Sequence, residues 1–248
     1  MSLYFTVFIC LTMVGTSFLS GIFGMAGGLV LVGVLLLVMP VPAAMMLHAV
    51  TQMASNGWRA YIWRRHVRWA PVAAYMVGCL IALAIWSIVR YVPSKAVALL
   101  LLGSTPFVVH LVPTSMKPDP DNPVMGAVYG MSCMSLMLVT GVAGPLLDSF
   151  FLGGRLDRRE IVATKGVCQV FGHGLKLVYF GGLAAQTASV DFSLAAFAVF
   201  AAMLGTMLSK RFLEAMSDMQ FRFWAQSIIT VISCYYLAYG GYLVWTSS

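Results

Sequence analysis

The chain has 248 residues, of which 60% are hydrophobic and 9% charged, with a mean hydropathy of +0.90. Soluble domains carry about 25% charged residues, so this composition excludes an ordinary globular domain and points to a membrane protein. The net charge of +7 sits mostly in short loops between apolar runs, where it sets topology and does not argue for nucleic acid.

No Asp, Glu, Lys or Arg occurs from Met1 to Trp58. The start, MSLYFTVFICL, lacks a basic leader and a small-x-small cleavage site, so it reads as a retained first span. Ten apolar segments follow in chain order, all helical by length: 3–23, 28–39, 43–62, 70–91, 95–112, 124–141, 144–153, 160–181, 192–209 and 222–246. The second and seventh reach only about 15–18 Å, too short to cross roughly 30 Å of hydrocarbon alone. The longest polar interruptions, Pro113–Pro123 and Gly181–Asp191, leave no room for a soluble domain. Cys10, Cys79, Cys133, Cys168 and Cys234 lie apart with no CxxC, and read as small buried hydrophobes.

A shift of 117 residues lays GMAGGL (Gly24–Leu29) on GVAGPL (Gly141–Leu146), and VTQMASNGWR (Val50–Arg59) on VCQVFGHGLK (Val167–Lys176). Phe23–Tyr61 then has eight identities with its counterpart, where chance in this composition gives about three. The expected organisation is therefore two repeats, 1–113 and 124–248, forming one domain of about five helical segments each.

The basic loops swap ends between the halves. RRHVR (Arg64–Arg68) follows the third segment of the first half, whereas RLDRR (Arg155–Arg159) precedes the third segment of the second. If both face the cytoplasm, the repeats insert upside down relative to each other, with both ends of the chain outside and Lys210, Arg211 and Arg222 inside. Arg90 and Lys95 fall on the outer side and are the discordant pair. The expected fold class is an all-α integral membrane protein of two inverted-topology repeats, whose glycine-rich re-entrant segments meet near the midplane.

Broken backbone survives at membrane depth only where protein buries it or it lines a cavity. Each short segment begins just after its glycines, so two helix N-termini direct N–H groups toward the centre, which favours an oxyanion. Gly24, Gly27 and Gly28 in the first half, and Gly141 and Gly144 in the second, are the candidate backbone contacts. The competing reading is that these glycines only let helices pack closely.

The glycine motifs GMAGG (Gly24–Gly28) and GVAGP (Gly141–Pro145), together with ATKGVCQVFGHGLKLVYFGG (Ala163–Gly182), resemble the TauE/SafE sulfite exporter family. The resemblance covers most of the chain and is stronger in the second half. It implies a transporter that exports or takes up sulfite, sulfonates or related organic anions across a bacterial-type inner membrane. Pro145 stands where many members would show glycine, a change that a first helical turn tolerates.

His48, Gln52, Asn56 and Arg59 share one helical face, and the shift of 117 lays them on Lys165, Gln169, His173 and Lys176. Polar groups in lipid are costly and normally face the bundle interior. Gln52, Asn56, Gln169, His173 and Lys176 are the candidate substrate contacts. For the glutamines the competing role is interhelical bonding, and for His173 it is packing. Arg59 and Lys165 either bind substrate or anchor topology. Lys176, toward the outer side, either serves the site or snorkels to the interface. Asp148, the lone acid inside an apolar segment, either carries a proton or pairs with a cation such as Lys165. His110 reads as a packing or interface residue.

The leading functional expectation is a secondary transporter of a small anion, working by alternating access and coupled to protons. The expected partners are the anion and the lipid bilayer, with no nucleic acid and no cofactor or metal; a homodimer stays open. No Walker motif is present, so the chain alone does not hydrolyse ATP, although the permease part of a larger system fits equally. The alternatives are a passive anion channel and an intramembrane enzyme, the latter poorly served because HExxH and GxSxG are missing.

Overall fold

A computed structural model describes residues 3–23, 26–111, 118–152 and 156–247. The described residues form ten α-helices and no strand. In chain order they are α1 (Leu3–Phe23), α2 (Ala26–Val38), α3 (Val41–Ile62), α4 (Trp69–Val89), α5 (Lys95–Leu111), α6 (Pro123–Thr140), α7 (Gly144–Leu152), α8 (Arg158–Val178), α9 (Phe192–Ala215) and α10 (Asp218–Ser247). Every apolar segment read from the sequence is one of these helices. The differences lie at the ends. α9 and α10 run further than their apolar cores toward each other, and α8 passes into a π-helical turn, Tyr179–Leu183, at the pair Gly181 and Gly182.

Among the described residues, five helices are long and apolar enough to cross a membrane: α1, α4, α6, α9 and α10. α3 and α8 have the length, at 22 and 21 residues, but their polar stripe lowers their hydropathy. α2 and α7 are short, at 13 and 9 residues. The first glycine motif therefore stands between arms of unequal length, the 21 residues of α1 and the 13 of α2.

The short helix α2 is apolar all round and lies inside: nine of its thirteen residues are buried, from Ala26 to Leu36. Tyr236 of α10 reaches into it, its hydroxyl donating to the Leu29 carbonyl at 2.7 Å. The outside of the bundle is greasy. Ile81, Ile85 and Ile88 of α4 and Phe197, Phe200 and Leu208 of α9 are exposed, as lipid-facing side chains must be.

The helices pair in a pattern that repeats. α1 packs against α9 as α4 packs against α6, and α3 packs against α8 as α5 packs against α10. A Cβ added at Gly174 meets Met53, at Gly57 meets Val170 and at Gly166 meets Ala60. Numbers rise along α3 as they fall along α8, so these two helices cross antiparallel. The same holds for α5 and α10, where Gly103 lies on Ser233 and Leu237 while Gly240 lies on Leu100. α4 and α6 instead run parallel, Tyr75 against Gly130 and Trp86 bonded to Ser135. Close approach here depends on Gly126 and Gly130, a small-xxx-small pair whose missing side chains admit Ala74 and the Tyr75 backbone.

One end of the bundle gathers charged loops. Arg68 pairs with Asp121 at 3.2 Å and with Glu160 at 3.3 Å, and its N–H donates to the Thr164 hydroxyl. Arg159 stacks its guanidinium over the Trp63 ring. Asp157 caps α8 and closes a capping box with Glu160; the N–H groups of Glu160 and Arg159 hold its carboxyl below the usual range. RRHVR and the described part of RLDRR therefore lie at the same end.

Candidate functional site

α6 ends where Gly141 takes a left-handed conformation, φ +88°, which an L side chain rarely adopts. Thr140 steadies the break, its hydroxyl accepting from the Val142 N–H and sharing its one proton between the Leu136 and Val142 carbonyls. A side chain on Gly141 would strike Val32 of α2 and Met45 of α3. The break of the second half thus packs directly on helices of the first.

Two side chains join it to the first break. Lys176 donates from Nζ to the Gly141 carbonyl at 2.9 Å and lies 2.8 Å from His48 Nδ1. His48 Nε2 lies 3.1 Å from the Gly28 carbonyl. A carbonyl only accepts, so Nε2 carries the proton and Nδ1 accepts from Lys176. Lys176 and His48 are both wholly buried. Lys176 therefore does not snorkel. It satisfies a carbonyl that the end of α6 leaves open, and the negative end of that helix favours it there. His173 joins this group edge-on, with ring centroids of the two histidines 5.4 Å apart and its Nδ1 free of any partner among the described residues.

The first half has a matching cation. Arg59, the counterpart of Lys176, donates from Nη1 to the Ser20 carbonyl at 3.4 Å, one of the last four carbonyls of α1. Its Nη2 donates to Asn56 Oδ1 at 2.6 Å, and Asn56 Nδ2 donates to the Gln52 backbone carbonyl at 2.8 Å and to Gln52 Oε1 at 3.3 Å. The Gln52 amide lies over Gly28, where an added Cβ would sit 3.4 Å from it. Gly28 is the junction. Its carbonyl faces His48 and its Cα faces Gln52.

Gly27 behaves differently. A Cβ there would run into the Thr16 carbonyl and Ser20, so its bareness lets α2 close on α1. Gly144 begins α7 and is buried. Gln169 is buried midway along α8. Lys165 forms an ion pair with Asp148, both part-buried, and the Asp148 charge also acts on Arg59. Gly24 and the side chain of His110 lie outside what the structure describes.

The structure brings Gly28, Gly141, His173 and Lys176 together around His48, and Gly27, Gly28, Gln52 and Asn56 together beside Arg59. His48 was legible in the stripe but not as a bridge, because its partners come from the other half and from backbone. Ser20 left no trace in the repeat, since its counterpart is Met137.

The sequence profile of the family described as Sulfite exporter TauE/SafE matches residues 8–236. The chain belongs to this family. The match spans every helix in whole or in part, so the junction described above lies within it and the protein is a multi-pass membrane protein of a transporter family. No curated protein and no solved structure matches it.

Proposed function

We propose that this protein is a secondary transporter that moves a small anion, sulfite or a sulfonate or related organic anion, across a bacterial-type inner membrane. Two inverted repeats rock about the α3–α8 contact and expose the glycine junction to either side in turn. The observation that carries this reading is the antiparallel crossing of equivalent helices, α3 with α8 and α5 with α10. Repeats inserted the same way up would run their equivalent helices in the same direction. The equivalent cations add support, because Arg59 and Lys176 each satisfy a carbonyl at the end of the helix before a break.

Gly27, Gly28, Gln52, Asn56, Gly141, Gly144, Gln169, His173 and Lys176 form the surroundings of the anion in this reading. The Asp148–Lys165 pair, near but not at the junction, is the proton-coupling element: taking up a proton breaks the pair and frees α7 from α8. A melting series of the purified protein tests substrate class, with sulfite, sulfate, thiosulfate, methanesulfonate and acetate at fixed ionic strength. Concentration-dependent stabilisation by sulfite or methanesulfonate is expected. Equal melting in all five would remove the support for anion binding.

A further inference from the structure

The hydrogen-bond relay on α3 has a direction, and it ends on an unused donor. Arg59 has donors only, so it must bond an oxygen of Asn56, which is Oδ1. That turns Asn56 Nδ2 toward Gln52, where it holds Oε1. Gln52 Nε2 is left over, and it has no partner among the described residues although Gln52 is only 6% exposed. Two more polar atoms at the same place share this condition. Ser20 Oγ, wholly buried, and Arg59 Nε both lack a partner among the described residues.

The three residues border the same turn of helix. Ser20 borders Gly27, Gln52 borders Gly28, and Arg59 touches the Ser20 carbonyl, so the three side chains ring the first turn of α2. The N–H groups of that turn have no acceptor within their helix. An amide N–H, a guanidinium N–H, a hydroxyl and a positive helix end all seek negative oxygen, and the carboxylate whose charge reaches Arg59, that of Asp148, is already paired with Lys165. Buried donors left without acceptors are costly, so a set of them in one place is a site waiting for an acceptor.

We propose that a pyramidal SO3 group binds here, its oxygens shared among Ser20 Oγ, Gln52 Nε2, Arg59 Nε and the first-turn N–H groups of α2, with Asn56 as the positioning residue that aims the Gln52 amide. The donors that bond the anion's oxygens here come from the first half. In the second half Met137 replaces Ser20, and Lys176 is occupied by Gly141 and His48. The pseudosymmetric halves thus divide the work: one bonds the anion's oxygens, and the other closes its surroundings and ties the two breaks together. This inference rests on the anion-transporter reading above and adds Ser20 and Arg59 to its residues.

Titration calorimetry on the full chain in nanodiscs tests it, with sodium sulfite and sodium methanesulfonate as probes in a constant chloride background. The two probes distinguish free sulfite from a sulfonate headgroup, and binding of either one serves. Ser20→Ala is expected to raise Kd about tenfold while anion-free melting stays the same or rises, since its hydroxyl has no partner to lose. Asn56→Asp puts an oxygen against Gln52 Oε1 and so turns the amide round; a similar loss of affinity is expected, with Asn56→Gln no substitute. Wild-type affinity in both variants, with the wild type binding and carrying the anion, overturns the site and leaves the transporter reading standing. A wild type that neither binds nor carries either probe in proteoliposomes overturns both.

Discussion

Lys176 Nζ lies 2.8 Å from His48 Nδ1, and this contact across the α3–α8 interface joins the glycine break of one half to that of the other. Neither residue can be replaced without orphaning its neighbour. Lys176→Met leaves the Gly141 carbonyl and His48 Nδ1 without a donor in a buried place, each costing about 1–3 kcal/mol. The variant is expected to melt earlier in detergent and to lose transport. Melting and flux equal to wild type would show that the bridge contributes nothing.

The two junction glycines should respond differently to one added methyl. Gly141→Ala meets a left-handed backbone and collides with Val32 Cγ2 at 2.7 Å and Met45 Sδ at 2.9 Å, so poor expression and low stability are expected. Gly28→Ala brings its methyl only to 3.4 Å from the Gln52 amide. It should fold, and bind the anion more weakly because the methyl takes up space beside the amide. Expression yield and sulfite titration of the pair check this; equal behaviour of the two would contradict it.

Arg68 bonds Glu160 and the Thr164 hydroxyl, so the loop after α3 and the start of α8 share one end of the bundle. Both basic clusters there should face the cytoplasm. Single cysteines replacing Arg64 and Arg158 in a cysteine-free background are expected to label only after the membrane is permeabilised. Labelling of one from outside would end the inverted-repeat account.

Asp148→Asn should separate transport from its driving force. The amide that replaces the carboxyl no longer exchanges a proton, so anion exchange at equal pH should persist while accumulation driven by a pH gradient falls to the exchange level. Gradient-driven accumulation at the wild-type rate would move the coupling role elsewhere.

Much of the fold was legible because membrane helices announce themselves by length and apolarity, and because the two halves share glycines and a polar face at a fixed offset. The stripe from His48 to Arg59 was readable for the same reason: in lipid, polar residues at a spacing of three or four must turn inward together. What stayed hidden was the meaning of each residue. His48 acts through the Gly28 carbonyl and through Lys176 of the other half, and backbone acceptors leave no mark in side-chain patterns. Ser20 is one hydroxyl among several on α1, and only the fold brings it to Gly27 and Arg59. Gly27 and Gly28 looked alike in the motif, yet one closes α2 on α1 and the other faces Gln52, a distinction that needs the neighbours in place.

The most direct measurement is protein-dependent flux of radiolabelled sulfite in proteoliposomes of the purified chain, with and without an imposed pH gradient. The account predicts saturable flux that exceeds protein-free vesicles, rises with the gradient, and falls about tenfold at low sulfite in Gln52→Ala. Flux equal to protein-free vesicles, for sulfite and for methanesulfonate alike, would contradict it.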